Sequence, residues 1–180
     1  QRSLCFNAMI VANTMTYGME EPARIYDDKL KYILLTGRNL LEAISTSETS
    51  DLSHAIDRGA KVVYLDPRYT KTASKATEWL PIKPGNDLAF HLALLHIIIG
   101  EKLYNRSFVE KNTVGFDELK KEVSRYTPEW AAPLTGIPAE TITRIAHEFA
   151  DAAPHALAHN GWRTSNFVNS FQTQRAITIL

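Results

Sequence analysis

Several features that often reveal a function are scarce or absent in this sequence. The 180 residues include one cysteine, which excludes an internal disulfide and any metal cluster that needs several cysteines of this chain. The 20 basic and 20 acidic side chains cancel, so no basic field exists to hold nucleic acid or an anionic membrane surface. The apolar segment 88–101 is far shorter than the ~20 residues that cross a bilayer. The sequence contains neither the three-glycine dinucleotide fingerprint nor a Walker-type phosphate loop.

The remaining composition is that of a folded domain with alternating strands and helices. Hydrophobic residues make up 44% of the 180-residue chain, which suffices for one domain with a sizeable core. Continuous apolar runs within 30–36 and 61–65 are typical of parallel strands that are buried on both faces. The helical segment 41–58 between them completes a βαβ unit.

Two more short strands complete the predicted sheet. Residues 79–82 form a third strand, which is an edge strand if Pro81 lies within it, because proline cannot donate to a ladder. Residues 155–159 form a fourth strand. The expected fold class is α/β, a Rossmann-like and mostly parallel sheet with helices on both faces. We expect one such domain over residues 1–180. Since the chain starts without a signal peptide and stops inside an apolar, helix-like run, we expect it to be a fragment of a larger multidomain protein.

Three predicted turns place small and polar residues directly after strands. They are Gly37-Arg38-Asn39 with Glu42, Asp66-Pro67-Arg68 with Thr70, and Pro84-Gly85-Asn86-Asp87. Ligands of open α/β sheets bind at the carboxyl ends of the strands. Glycine allows the backbone to approach a phosphate closely, an arginine fork can contact a pyrophosphate, and a carboxylate at a helix start can accept two N–H donors from the edge of a guanine.

Four of these side chains also have a purely structural interpretation. Asp66 would cap a turn, and Arg68 would pair with a surface carboxylate. Asp87 would be an ordinary helix N-cap, and Glu42 would be a first-turn charge that complements a helix dipole. From the residues of the Asp66 segment alone, the structural interpretation is favoured over a ligand-binding one.

Cys5 and Arg163 are candidates for chemistry outside these turns. A lone cysteine is most often a small buried hydrophobe, although a thiolate is also a good ligand for a soft metal. Arg163 follows Trp162 and could bind an anionic substrate or stack on the indole, of which stacking is favoured.

The order of the motifs resembles one family, the molybdopterin-dependent oxidoreductases of the dimethyl sulfoxide reductase family, in their α/β cofactor-binding domain. The resemblance runs over essentially the whole chain, and it is specific because several motifs occur in the family's order. The matching segments are 37–42, 59–73, 79–87, 103–104 with 108–109, 115–116, 126–129 and 135–138. The resemblance implies a fragment of a larger catalytic subunit, which is not expected to be active alone.

The resemblance also implies the cofactors and the residues that hold them. The cofactor would be a bis(molybdopterin guanine dinucleotide) with molybdenum, or tungsten in some relatives, and a 4Fe-4S cluster is expected in a segment before Gln1. The residues implied to line one guanine dinucleotide are Gly37, Asn39, Glu42, Asp66, Arg68, Thr70, Gly85 and Asp87. Cys5 falls where the family carries its metal-binding cysteine or selenocysteine, so the resemblance makes Cys5 a metal ligand and a catalytic residue. Arg163 is implied to be a second catalytic residue, whose cation holds the substrate.

The expected substrate is a small inorganic sulfur compound such as polysulfide or thiosulfate. Cys5-Phe6 and the segment 159–163 resemble the polysulfide and thiosulfate reductase branch, which implies two-electron reduction or oxidation of such a compound. Formate dehydrogenases of the family carry a histidine directly after the metal-binding residue, so Phe6 argues against formate. Arsenate, nitrate and formate oxidoreductases are the alternatives within the family. The alternative of another class is a structural subunit of a respiratory complex without molybdenum, which would have no reason to keep Cys5 or Asp87.

Partners and compartment are implied by the resemblance alone. An iron–sulfur electron-transfer subunit, with a membrane anchor subunit as a further candidate, would carry electrons in anaerobic respiration. The expected location is the periplasm or the outer face of the cytoplasmic membrane.

Overall fold

The fold is described by a computed structural model that covers residues 7–21, 23–42 and 45–180, with the backbone alone at Arg163. The strands are β1 (Tyr32–Thr36), β2 (Lys61–Leu65), β3 (Glu78–Leu80) and β4 (Ala156–Asn160). The helices are α1 (Asn7–Tyr17), α2 (Thr46–Asp57), α3 (Lys71–Lys75), α4 (Asp87–Gly100), α5 (Arg106–Asn112), α6 (Phe116–Val123), α7 (Pro128–Thr135), α8 (Ala139–Asp151) and α9 (Ser170–Ile179), with a 3-10 helix at Trp162–Asn166.

The four strands form one parallel sheet in the order β3-β2-β1-β4. Thr36 lies opposite Leu65 on one side and Asn160 on the other, so β1, β2 and β4 end level with one another. β3 lies at the edge of the described sheet, pairs with β2 and ends at Leu80. The edge position agrees with the prediction, although Pro81, on which that prediction depended, follows the strand instead of lying within it. The predicted α/β fold with a mostly parallel sheet is confirmed.

Helices cover both faces of the sheet. Successive side chains of each strand point to opposite faces, and the apolar side chains on each face pack against helices. On one face, Leu34 packs in a buried cluster with Phe90 of α4 and Ile145 of α8. On the other face, Leu35 packs in a second cluster with Leu52 of α2. Among the residues that the structure describes, no helix is both long enough and apolar enough to cross a bilayer.

The helix predicted over 41–58 starts later than the sequence pattern indicates. α2 begins at Thr46, and Ser45 is its N-cap, with its Oγ accepting a hydrogen bond from the backbone N–H of Glu48. A serine in this position satisfies a backbone donor that the first helical turn leaves unpaired. Residues 37–42, the described part of the connection between β1 and this helix, are not helical.

The opposite, amino-terminal edge of the sheet carries a closed network of charges. Glu148 of α8 accepts hydrogen bonds from Tyr32 Oη (3.1 Å), Lys61 Nζ (2.7 Å) and Arg144 Nη1 (2.9 Å). Arg144 also pairs with Glu78 (2.6 Å). Partial burial opposes ionisation of Glu148, but the hydrogen bonds from Lys61 and Arg144 hold its pKa below the ordinary value. These charges are satisfied by one another, so the network ties α8 to the strand starts.

Candidate functional site

The candidate site lies at the edge of the sheet where the parallel strands end. Backbone hydrogen bonds hold the first residue of each loop against the neighbouring strand. These bonds run from Gly37 N to Leu65 O (2.9 Å), from Asp66 N to Leu80 O (3.3 Å) and from Gly161 N to Thr36 O (2.8 Å). The loops that carry the predicted site residues therefore start side by side, as expected for a ligand-binding edge of a parallel sheet.

A chain of hydrogen bonds joins the loops after β1 and β2. Thr72 Oγ1 donates to Asn39 Oδ1 (2.7 Å), and Asn39 Nδ2 donates to Glu42 Oε2 (2.6 Å). The same Glu42 oxygen accepts from the backbone N–H of Lys71 (3.3 Å). The bonds from Asn39 and Lys71 lower the pKa of the exposed Glu42 carboxyl, and the charge of Arg68 acts in the same direction. Asn39 and Glu42 are thus brought together, and Thr72 joins them although the sequence pattern did not single it out.

The interpretation of Glu42 as a first-turn charge of the following helix is wrong. α2 begins at Thr46 and is capped by Ser45, so Glu42 precedes that helix. Its carboxylate accepts the N–H of the first residue of α3 instead. Glu42 therefore acts on a helix terminus, but on that of another loop.

Asp66 is held firmly at the end of β2. Its Oδ2 accepts from Tyr64 Oη (2.8 Å), and its Oδ1 accepts from the backbone N–H of Arg68 (2.8 Å). The indole Nε1 of Trp79 donates to the Asp66 carbonyl (2.9 Å). The turn-capping interpretation of Asp66 is confirmed. Burial raises the pKa of Tyr64, so this hydroxyl stays protonated and acts as the donor.

Arg68 and Thr70 differ in how they can serve a ligand. Arg68 is exposed, and within the described part of the chain no carboxylate lies at ion-pair distance from it, so the predicted surface ion pair is not formed there. Thr70 is buried and is the N-cap of α3, where its Oγ1 accepts from the backbone N–H of Ala73 (3.2 Å). The guanidinium can reach an anion, whereas the Thr70 hydroxyl already has a structural role.

Asp87 is a buried carboxyl at the amino terminus of α4. Asn86 is the N-cap and Asp87 is the first helical residue, so the N-cap interpretation of Asp87 is wrong. Burial raises the pKa of Asp87 to about 6, and the nearby charge of Asp66 acts in the same direction. The loops after β2 and β3 thus bring two carboxyls close enough to interact. A perturbed carboxyl at a ligand-binding edge is a functional-site candidate.

His91 fixes the start of α4 against the end of β1. Its Nδ1 lies 2.8 Å from the carbonyl oxygen of Asp87, and because a carbonyl can only accept, Nδ1 carries the hydrogen. Nε2, 3.2 Å from Thr36 Oγ1, therefore accepts from that hydroxyl. Burial lowers the pKa of His91 to about 4, so the ring is neutral at neutral pH and works as a positioning group for Asp87.

Two glycines of the predicted site adopt backbone angles that other residues rarely adopt. Gly37 has a φ of +60° and Gly85 a φ of +81°. A side chain at either position would strain the turn. The tight loops that bring Asn39 and Asp87 to the edge therefore depend on these glycines.

A second polar group at this edge surrounds His159, which the sequence analysis did not single out. His159 is buried, and its Nδ1 donates to the Ala23 carbonyl (2.9 Å), whereas its Nε2 has no hydrogen-bond partner in the described part of the chain. Burial, together with the charge of Arg38, lowers the pKa of His159 to about 4. Arg38 forms an ion pair with Glu48 and lies over the ring of Trp162, 5.0 Å from its centroid. Arg38 thus stacks on the indole, a role that was considered for Arg163.

Cys5 and the Arg163 side chain lie outside the described residues. The backbone of Arg163 is in the 3-10 helix that follows β4, at the same edge as the other loops. Within the described ranges, no three side chains of His, Cys, Asp or Glu are grouped so that they could hold a metal ion. The metal-binding and catalytic assignments of Cys5 and Arg163 stay predictions.

Comparison with known proteins gives one consistent result. The family model described as molybdopterin oxidoreductase matches residues 2–179. The molybdopterin-containing subunit of thiosulfate reductase from Salmonella typhimurium is 43% identical over 150 residues, which are 83% of this chain and 20% of that protein. The corresponding subunit of arsenate respiratory reductase from Chrysiogenes arsenatis is 40% identical over 162 residues, 73% of this chain and 18% of that protein.

A solved structure shares the fold over the whole chain. Acetylene hydratase from Pelobacter acetylenicus superposes with a TM-score of 0.88 at 35% identity, over 99% of this chain and 24% of that one. The chain therefore spans between 18% and 24% of the length of these relatives.

Proposed function

Because this chain belongs to the molybdopterin oxidoreductase family, we propose that the carboxyl edge of its sheet forms one wall of a bis(molybdopterin guanine dinucleotide) site in a larger catalytic subunit. One observation carries the proposal: the loops with Asn39, Asp66 and Asp87 begin side by side at that edge. A segment of about a fifth of its relatives' length would contribute one part of the site, and the rest of the subunit would complete it.

The side chains at this edge suit a guanine nucleotide. The carboxylates of Asp87 and Glu42 can accept N–H donors from a base, and the exposed Arg68 can offer a planar cation to phosphate. His159 adds a buried acceptor, Nε2, that lacks a partner among the described residues. Such an atom is costly to bury unless another group donates to it. When bound, the molybdenum centre would supply two-electron redox chemistry, while these residues bind and orient the nucleotide.

The proposed substrate is an inorganic sulfur compound such as thiosulfate or polysulfide, which would be reduced or oxidised by two electrons. The 43% identity to a thiosulfate reductase subunit over 83% of this chain supports that choice. Arg163 would hold the anionic sulfur compound through its guanidinium, since it follows β4 at the same edge as the nucleotide loops. Charged hydrogen bonds of this kind are stronger than neutral ones.

Cys5 is proposed to supply a sulfur ligand to the metal. In the full-length protein, Cys5→Ser should replace a sulfur neighbour of molybdenum by oxygen, because a hydroxyl is a harder ligand than a thiolate. X-ray absorption at the molybdenum edge measures this change without reference to turnover. Unchanged metal coordination in the variant would remove Cys5 from the metal ligands, and a full-length wild type without molybdenum would favour the structural-subunit alternative.

Arg163 is proposed to bind the substrate without holding the cofactor. Arg163→Ala in the full-length protein should lower kcat/KM for thiosulfate or polysulfide by roughly tenfold or more, since a charge-assisted hydrogen bond is lost, while molybdenum content is kept. Arg106→Ala, which removes an exposed arginine on α5, serves as the control. Arsenate, nitrate and formate should be assayed on the same preparations, and equal activity of both variants would remove Arg163 from the site.

A second candidate reaction is hydration of an unsaturated substrate. Acetylene hydratase from Syntrophotalea acetylenica is 36% identical over 98% of this chain, so the fold also supports a reaction without net electron transfer. Acetylene belongs in the same assay series for this reason. Turnover of acetylene without turnover of the sulfur compounds would favour that candidate.

The proposed partners follow from the electron balance of a sulfur-compound reaction. Two electrons must enter or leave the molybdenum site, so a 4Fe-4S cluster in another part of the subunit and an iron–sulfur electron-transfer subunit are proposed, with a membrane anchor as a further candidate. The proposed compartment is the periplasm or the outer face of the cytoplasmic membrane. Fractionation of cells that produce the full-length protein tests the compartment.

A further inference from the structure

An aromatic ring lies directly on the glycine turn that leads to Asp87. Phe167 follows the 3-10 helix after β4, and its ring packs on Gly85: a Cβ placed on that glycine would be 3.4 Å from ring atom Cδ1 and 3.6 Å from Cε1. Gly85 lies two residues before Asp87. The ring therefore stands beside the amino terminus of α4, although it comes from the loop that carries Arg163.

Phe167 is more exposed than the phenylalanines of the core. Phe90 and Phe149 are buried at 0% and 5% exposure, whereas Phe167 is 37% exposed. One part of the ring is covered by the glycine turn, and 37% of the residue stays accessible to a ligand. Exposed apolar side chains are common when single, so it is the contact with the glycine turn, two residues before a buried carboxyl, that calls for an explanation.

A purine base needs two kinds of contact, one at its hydrogen-bonding edge and one at its flat face. The carboxyl of Asp87 suits the edge, and an aromatic ring beside it suits the face, because bases stack on aromatic side chains. We propose that Phe167 is a stacking residue for the purine base that Asp87 binds, and that it links the nucleotide pocket to the loop of Arg163. This inference rests on the proposed nucleotide site and adds to it a residue that stacks on the face of the base.

The test compares three replacements in the full-length holoenzyme. Phe167→Ala removes the ring, Phe167→Leu keeps apolar packing on Gly85 without a flat face, and Phe167→Tyr keeps the flat face. Phe108→Ala is the matched control, because Phe108 is an exposed phenylalanine on α5, 58% exposed. The readout is the rate at which molybdenum and, after acid hydrolysis, GMP are lost from the protein during incubation and gel filtration.

Stacking predicts that the alanine and leucine variants both release the nucleotide about tenfold faster, which corresponds to about 1.4 kcal/mol, while the tyrosine and Phe108 variants match the wild type. Leucine at the wild-type rate would show that Phe167 only packs the loop, and would overturn the inference. Wild-type rates in the alanine variant would overturn it as well. A wild-type protein that contains neither molybdenum nor GMP would remove the proposed function and this inference together. A loaded wild type with unaffected variants would remove this inference alone.

Discussion

Replacing Asp87 by asparagine in the full-length protein should weaken retention of the guanine nucleotide roughly a hundredfold. A carboxylate accepts two N–H donors from the edge of a guanine, whereas asparagine turns an NH₂ group toward one of them. Each hydrogen bond to a charged group contributes about 1.5–3 kcal/mol, and a hundredfold loss corresponds to about 2.7 kcal/mol. Molybdenum and GMP content per polypeptide measures the effect.

The raised pKa of Asp87 makes the same site pH-dependent in a definite direction. The folded-state pKa of about 6 lies above the ordinary value of 3.8, so the cofactor-free folded protein holds this proton more tightly than the unfolded chain between those values. The contribution of Asp87 to stability therefore declines as the pH rises from about 4 to about 6. Nucleotide binding changes in the opposite sense: it should weaken below pH 6, when the carboxyl gains a proton and loses an acceptor.

Asp87→Asn should remove both pH effects, and this separates a binding role from a structural one. Without the cost of an ionised buried carboxyl, the cofactor-free variant should be at least as stable as the wild type at pH 7. Asp117→Asn is the matched control, because Asp117 also lies in the first turn of a helix but is exposed. A variant that keeps its nucleotide at all pH values would contradict the assignment of Asp87.

Replacing Gly161 by alanine should weaken the pairing between the ends of β1 and β4. A Cβ at this position would lie 2.3 Å from Gly37 O and 2.5 Å from Thr36 O. Both atoms belong to the backbone of the neighbouring strand and its loop, so neither can move away as a flexible side chain could. Gly161 has a φ of −89°, which any residue can adopt. Glycine is therefore required here because a side chain has no space, and not because of the backbone angle. Overpacking of this kind costs about 3 kcal/mol.

Amide hydrogen exchange in the full-length protein measures this change locally. Residues 156–166 and the loop after β1 should exchange faster in Gly161→Ala, by up to about 150-fold for a 3 kcal/mol loss of local stability. Gly100→Ala is the control, because nothing lies within 4 Å of a Cβ built there. Gly100 ends α4, and alanine there should leave exchange unchanged or slow it. Equal exchange in both variants would show that the strands can separate without consequence.

The strands were largely predictable from local patterns, whereas their order in the sheet was not predicted. The apolar runs at β1 and β2 are typical of buried parallel strands. β3 lies at an edge as expected, although Pro81, the residue behind that expectation, follows the strand. The topology of a parallel sheet then brings the three polar loops together. Helix starts were less predictable: the pattern placed Glu42 near a helix start and Asp87 at an N-cap, whereas Ser45 and Asn86 hold the cap positions.

The partners within the site depend on contacts between residues far apart in the chain. Thr72 donates to Asn39 across 33 positions, and the Phe167 ring lies on Gly85 from the loop after β4. Neither residue stands out in a local pattern, because a threonine in a helix and a phenylalanine before a loop are ordinary. Cys5 and Arg163 stay predictions that depend on the resemblance.

The amino-acid sequence by itself determined that this chain is an α/β domain of the molybdopterin oxidoreductase family, because apolar periodicity and the order of motifs are local properties of the chain. The tertiary structure alone decided which of its polar groups are buried, paired or left open. Burial and pairing depend on neighbours from distant segments. The raised pKa of Asp87, the lack of a partner for His159 Nε2 among the described residues and the space required at Gly161 therefore exist only once the sheet has formed.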